Sequence, residues 1–161
     1  MKINPAKALR GRLVLPGDKS ISHRAAMLAS IAKGTSRITN FLTAEDCLST
    51  LSCMQQLGVQ ATRAGTDVEI KGVGKYGLRA SGEPLDCGNS GTTARLISGL
   101  LAGQRFDTTL IGDDSLSKRP MNRVIRPLKA LGAELQAVNG KLPVTISGTP
   151  LNAAKVSLEV A

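Results

Sequence analysis

The stretch Gly58-Val-Gln-Ala-Thr-Arg-Ala-Gly-Thr-Asp-Val-Glu-Ile-Lys-Gly72 holds two short runs, Val59–Arg63 and Asp67–Lys71, on either side of a turn. Alternating residues around such a turn predict an antiparallel hairpin, closing here at Gly72. The arrangement returns at Gly132-Ala-Glu-Leu-Gln-Ala-Val-Asn-Gly-Lys-Leu-Pro-Val-Thr-Ile-Ser-Gly148, where Ala133–Val138 and Pro143–Ser147 predict a second hairpin. A hairpin met twice turns attention to what precedes each copy.

The preceding segments repeat as well. Ser20–Lys33 is rich in Ala, Leu and Ile and stops at Gly34, which predicts a helix with a glycine end. A strand is expected at Ser36–Phe41. Thr43-Ala-Glu-Asp46 then has the form of a capping box, and Leu48, Leu51 and Leu57 recur at helical spacing up to Gly58. In the second copy Ser90–Ala102 predicts a helix ending at Gly103, and Phe106–Ile111 a strand. Pro120 suits a first helical position, with the helix ending at Gly132. Pro127 lies inside that helix and is expected to kink it.

The chain therefore divides into residues 1–72, a first βαβαββ unit with a leading strand, and residues 84–148, a second unit. Residues 150–161 look like the start of a third: Lys155–Val160 alternates like a strand, and no helix follows. An exposed final strand with open edges is an aggregation hazard. The chain is accordingly expected to be truncated.

Composition narrows the function classes. Of 161 residues, 42% are hydrophobic, but only one Tyr, two Phe and no Trp are present. Lys and Arg number 21 against 12 Asp and Glu, a net charge of +9 that favours anionic partners. Single-strand nucleic-acid binders add aromatic platforms, and this chain has almost no aromatic residues, so no nucleic-acid partner is expected. No apolar run near Met1 escapes interruption by Lys2, Lys7, Arg10 and Arg12, and none reaches membrane-spanning length. Cys47, Cys53 and Cys87 lack metal-ligand spacing, and His23 is the only histidine. The expectation is a reduced, cytoplasmic protein with no metal and no membrane partner.

Three segments carry chemistry, and each is a turn running into a helix. In Leu15-Pro-Gly-Asp-Lys-Ser-Ile-Ser-His-Arg24 a strand should end at Pro16–Gly17 and a helix begin near Ser20. Free N–H groups and the positive dipole end make such a junction an anion site. Ser20 and Arg24 share one helix face and Lys19 stands just before the first turn, a set suited to phosphate or carboxylate. His23 lies on another face and reads as a capping or packing residue. In Asp86-Cys-Gly-Asn-Ser-Gly-Thr-Thr-Ala-Arg95 the strand Pro84–Cys87 runs into glycines that expose successive N–H groups. Asn89, Thr92 and Arg95 stand near the same opening. In Ser115-Leu-Ser-Lys-Arg-Pro120, Lys118 and Arg119 can reach an anion. Arg123, Arg126 and Lys129 continue as a solvated stripe, so only Arg119 is assigned a ligand role.

Gly72-Val-Gly-Lys-Tyr-Gly77 matches G-x-G-x-x-G, but loop follows it where a dinucleotide site needs a helix. There is no P-loop motif either.

Taken together, Leu15–Arg24, Gly88-Asn-Ser-Gly-Thr-Thr-Ala-Arg95 and Lys118-Arg-Pro120, in that order and spacing, resemble the 5-enolpyruvylshikimate-3-phosphate synthase family across essentially the whole chain. The related UDP-N-acetylglucosamine enolpyruvyl transferases share the repeat but carry a different lysine-asparagine motif in place of Asp18–Arg24. The resemblance implies an α/β fold of the inside-out barrel type, each of two domains being three βαβαββ units, with this chain an incomplete first domain. It implies transfer of the enolpyruvyl group of phosphoenolpyruvate to the 5-hydroxyl of shikimate 3-phosphate, without a cofactor. By the same resemblance Lys19 is catalytic; Lys19, Ser20 and Arg24 hold shikimate 3-phosphate; Lys19, Gly91 and Arg119 hold phosphoenolpyruvate; and Asn89, Thr92 and Arg95 support them. Gly91 stands where glyphosate-tolerant members often carry alanine, which implies glyphosate sensitivity for the full-length form. The acid–base carboxylates belong to the C-terminal domain of the same enzyme, so this chain alone should bind substrate without turnover. The rival reading is a non-catalytic module that captures phosphorylated metabolites.

Overall fold

The computed structural model describes residue 8 and residues 10–157. Helix α1 (Lys19–Ile31) leads into strand β1 (Lys33–Ile38), helix α2 (Glu45–Gln56) and a hairpin of β2 (Gln60–Ala64) and β3 (Asp67–Val73). These three strands form one antiparallel sheet in the order β1-β3-β2. A second sheet then follows from β4 (Leu85–Asp86), β5 (Asp107–Ile111), β6 (Glu134–Ala137) and β7 (Val144–Ser147), in the order β4-β5-β7-β6. Here β4 runs parallel to β5, and the other pairs are antiparallel. Helices α3 (Gly91–Ala102), α4 (Asp114–Ser117) and α5 (Asn122–Ala130) complete the mixed α/β architecture.

Each hairpin forms where the alternation lies. In β3 Val68 and Ile70 are buried while Asp67, Glu69 and Lys71 face solvent; in β7 Val144 and Ile146 turn inward. Both buried pairs seat the sheets on the helices. Helices α1, α2 and α3 pack against one another and on the sheets, and Ala26, Cys53, Met54, Ala94 and Ile97 on them retain no exposed surface. Small alanines at the contacts let the helix axes approach closely, and the first turns of all three meet at one end.

Several local expectations shift. Among the described residues no strand precedes α1: residues 11–18 are irregular, Leu13 and Val14 lie open to solvent, and β1 is paired with β3 alone. Without a ladder partner the apolar run cannot become a strand. Helix α1 stops at Ile31 with Ala32 as its cap, and Gly34 lies within β1. The strand expected at Ser36–Phe41 begins earlier, at Lys33, and ends at Ile38. The capping box does not form. Ala44, whose methyl group cannot accept a hydrogen bond, occupies the N-cap of α2, and the carboxylate of Asp46 pairs with Lys19.

Pro120 is not a first helical residue. Asp113 caps the short helix α4, and the residue before a proline resists helical backbone, so α4 ends ahead of Arg119 and α5 begins afresh at Asn122. Helix α5 runs unbroken through Pro127 to Ala130; Ile125 and Leu128 hold its inner face, and Arg123, Arg126 and Lys129 are exposed. Gly58 and Gly132 do stop α2 and α5, both with left-handed backbone. Residues 150–157 contain no strand, and the rest of the run Lys155–Val160 lies outside the described residues. No helix among the described residues is long and apolar enough to cross a membrane.

Candidate active site

The start of α1 is built by Asp18. Its Oδ1 accepts the N–H of Ile21 at 2.7 Å, and its carbonyl accepts the hydroxyl of Ser22, also at 2.7 Å. Ser22 Oγ in turn accepts the N–H of Leu42 at 2.9 Å, tying the turn after β1 to this helix end. Lys19 is the first helical residue, and its ammonium forms an ion pair with the carboxylate of Asp46 in the first turn of α2. The lysine side chain remains half exposed, so the pair contributes little to stability; its consequence is position. The backbone of the two helices is close here as well: the thiol of Cys47 lies 3.7 Å from the carbonyl of Lys19.

The start of α3 is built by Ser90, whose Oγ accepts the N–H of Thr93 at 3.1 Å. Side chains on a helix lean toward its N-terminus. Arg95 therefore folds back over Gly91, and its Nη2 donates to the carbonyl of Pro120 at 3.0 Å. Only glycine leaves room for this: a Cβ at position 91 would stand 2.5 Å from Arg95 Nη1.

Arg119 reaches the same turn from the loop between α4 and α5. Its Nη2 donates to Asn89 Oδ1 at 2.6 Å and to Ser115 Oγ at 3.2 Å. Asn89 Nδ2 donates to Asp113 Oδ2 at 2.6 Å, while Asp113 Oδ1 accepts the N–H of Leu116 at 2.7 Å. A single aspartate thus caps α4 and orients the asparagine that holds the arginine. The Leu116 N–H and the Asn89 amide, with help from the Arg119 charge, hold the Asp113 carboxyl below its ordinary value. A lowered folded-state value means that Asp113 contributes stability above the unfolded carboxylate range, and that this is lost as pH falls through the folded value. The difference in urea midpoint between wild type and Asp113→Ala is accordingly expected to be constant from neutral pH to about pH 5 and to shrink below about pH 4. A difference independent of pH would count against this role.

The candidate residues are therefore distributed as follows. Arg119 bonds Asn89, the Gly91 N–H donates to the Asn89 carbonyl, and Arg95 folds over Gly91 to the carbonyl of Pro120. Lys19 joins them through α2, since the hydroxyl of Thr93 also donates to the carbonyl of Asp46 at 3.2 Å. Ser20 and Arg24 are exposed on the first turns of α1, and Thr92 is half-buried beside Gly91. His23 is fully buried, as a packing residue would be, and its Nδ1 lies 2.6 Å from Thr50 Oγ1. Burial holds its pKa below the ordinary value, against the opposing charge of Asp46. Asp46 and Asp113 are the partners that a search for cations passes over, because acidic residues next to an anion site look unfavourable until their own cationic or amide partners are known.

The cysteines are free and buried; hydrogen bonding to Cys53 together with burial pushes the Cys87 thiol far up, leaving it unreactive. Cavities of about 220 and 430 Å³ lie beside the first sheet, and none of the candidate residues lines either. Among the described residues no group of three His, Cys, Asp or Glu is placed to hold a metal ion.

Comparison with known proteins identifies the family. The profile of the EPSP synthase (3-phosphoshikimate 1-carboxyvinyltransferase) family matches residues 3–161. A 3-phosphoshikimate 1-carboxyvinyltransferase of Lactiplantibacillus plantarum is 52% identical over 161 residues, covering 100% of this chain and 37% of the relative. One of Ruthia magnifica is 53% identical over 160 residues, covering 99% and 37%. An EPSP synthase structure from Acinetobacter baumannii superposes with a TM-score of 0.83 at 47% identity, covering 86% of this chain and 32% of that one. The chain spans little more than a third of the length of the curated relatives it matches. With a family profile matched over nearly every residue and the same fold in solved relatives, the chain belongs to the EPSP synthase family.

Proposed function

We propose that this chain forms the anion-holding part of a 3-phosphoshikimate 1-carboxyvinyltransferase, contributing two βαβαββ units and the beginning of a third to its first domain. The observation that carries this reading is the convergence of the Lys19, Gly91–Arg95 and Arg119 groups at neighbouring turn-to-helix junctions. The names of the relatives give a 1-carboxyvinyl group carried to 3-phosphoshikimate. On this reading the 5-hydroxyl of shikimate 3-phosphate gives up its proton and adds to C2 of phosphoenolpyruvate while C3 takes up a proton. Phosphate then leaves C2 as C3 returns a proton, restoring the double bond of the enolpyruvyl ether.

Both substrates are multiply charged anions and repel each other. The first requirement is a set of fixed cations that tolerates them side by side, which is catalysis by positioning and electrostatic stabilisation. On this reading Lys19, Ser20 and Arg24 take the shikimate 3-phosphate side. Lys19, Gly91 and Arg119 take phosphoenolpyruvate, supported by Asn89, Thr92 and Arg95. Lys19 then serves both substrates, and its ammonium stands where charge develops between them. It reaches them by exchanging Asp46 for a substrate oxygen. The carboxylates for the proton transfers come from the remaining part of the enzyme, so this chain binds without turnover. No cofactor is needed, and a cytoplasmic location fits the reduced cysteines.

An NMR titration of the chain with shikimate 3-phosphate tests the reading. Amide shifts concentrated at Lys19–Arg24, saturating with added ligand and abolished by Arg24→Ala, are expected. Uniform small shifts, or none, would remove the α1 junction from the site.

A further inference from the structure

Beneath the three helix starts runs a continuous chain of buried polar side chains. His23 Nδ1 lies 2.6 Å from Thr50 Oγ1, Thr50 Oγ1 lies 2.7 Å from Thr93 Oγ1, and Thr93 Oγ1 lies 2.7 Å from Ser90 Oγ. The four residues come from α1, α2, α3 and the N-cap of α3, and none retains exposed surface. Thr93 is the junction, because its hydroxyl also lies 3.2 Å from the carbonyl of Asp46.

The protons can be assigned by counting donors. The carbonyl of Asp46 can only accept, so the Thr93 hydroxyl supplies that proton. The same proton is directed to Ser90 Oγ at 2.7 Å, so Thr93 Oγ1 has no second proton to give and accepts from Thr50. With its own proton given to Thr93, Thr50 must accept from His23, which places a proton on Nδ1. Ser90 Oγ accepts the N–H of Thr93 as well as its hydroxyl. What remains is His23 Nε2, buried and without a partner among the described residues. Under this assignment Nε2 is a bare acceptor. The opposite polarity would bury an unpaired N–H there and leave the Asp46 carbonyl without the Thr93 proton, which is the costlier arrangement. A second proton on the ring would have the same fault, consistent with an imidazole kept neutral.

Nothing in the proposed chemistry uses this chain directly, yet its members sit directly behind the groups that do. Ser90 precedes Gly91, Asp46 holds Lys19, and His23 precedes Arg24. We propose that Thr93, locked by Thr50 and the Nδ1–H of His23, is a positioning residue that holds the Gly91 turn in register with the Lys19–Asp46 pair. The inference rests on the functional reading above, and it adds a cause for the register of the junctions: a directional hydrogen-bond chain anchored on a neutral histidine. Apolar packing alone would allow α3 to slide or rotate slightly against α2, whereas a hydroxyl shared between Ser90, Thr50 and the Asp46 carbonyl permits one arrangement.

The test is Thr93→Val in the complete transferase carrying this chain, a replacement of nearly the same shape without the hydroxyl. KM for phosphoenolpyruvate is expected to rise about tenfold with kcat changed less than about threefold, and Thr93→Ser is expected to restore it. A purely structural role would lower the melting temperature and leave both constants of the folded enzyme unchanged, which would overturn the inference while leaving the functional reading intact. A wild-type enzyme without turnover would overturn both. Should Thr93→Val fail to fold, ¹⁵N imidazole shifts of this 161-residue chain decide the matter, because His23 is its single histidine. A neutral ring protonated at Nδ1, with Nε2 bare, is expected at neutral pH; an Nε2–H tautomer, or a charged ring, would overturn the assignment.

Discussion

Lys19→Met in the complete transferase is expected to lower kcat/KM by a factor on the order of 10²–10³, about 3–4 kcal/mol of transition-state stabilisation. The side chains are similar in length, so what is lost is a half-exposed ammonium at the start of α1. Two consequences add. The anions lose the cation proposed to serve both of them, and the Asp46 carboxylate, left without its partner, places an uncompensated negative charge at the same opening. Thermal stability should hardly change, since an exposed pair of this kind contributes at most about 1 kcal/mol. The double variant Lys19→Met, Asp46→Asn separates the two effects. Recovery of part of the lost activity is expected once the stray carboxylate is neutralised. A single variant with wild-type kcat/KM would exclude Lys19 from the site altogether.

Gly91→Ala carries the second large effect, and its cause is steric. Alanine is the better helix former, so the start of α3 should be as stable as before or slightly more so. The new Cβ, however, would stand 2.5 Å from Arg95 Nη1 and 3.5 Å from Leu116 Cδ1. The leucine distance is an ordinary contact; the arginine distance is not. The guanidinium is the end of a flexible side chain, so it moves, and its bond to the carbonyl of Pro120 is lost or redirected. KM for phosphoenolpyruvate is expected to rise about 10- to 100-fold, or about 1.4–2.8 kcal/mol, with a smaller change for shikimate 3-phosphate. Steady-state kinetics with each substrate varied in turn makes the comparison. Equal weakening for both would detach Gly91 from the phosphoenolpyruvate side.

Both effects depend on contacts between elements distant in the chain, and that is where reading the sequence runs out. The hairpins Gln60–Val73 and Glu134–Ser147 were legible because alternation in a strand is local: each residue's face follows from its neighbours. The helix starts expected near Ser20 and at Ser90 fall within one residue of those found, Lys19 and Gly91, for the same reason, as turn residues and caps act within four positions. Boundaries failed where a distant partner intervened. The helix expected to be capped at Thr43 has Ala44 at its N-cap, with Asp46 paired to Lys19 across to α1, and the run Leu13–Leu15 stayed irregular for want of a neighbouring strand.

The residue types at the three junctions were thus determined by the sequence alone: an aspartate-capped lysine, a glycine after a serine cap, an arginine before a proline. Only the tertiary structure decided that Asp46 and Asp113 would orient them, and that His23, Thr50, Thr93 and Ser90 would form one buried chain behind them. The physical reason is range. Capping and alternation act through adjacent peptide bonds, whereas an ion pair or a shared hydroxyl requires two helices to be packed within about 3 Å of one geometry, and that distance is set by the whole core.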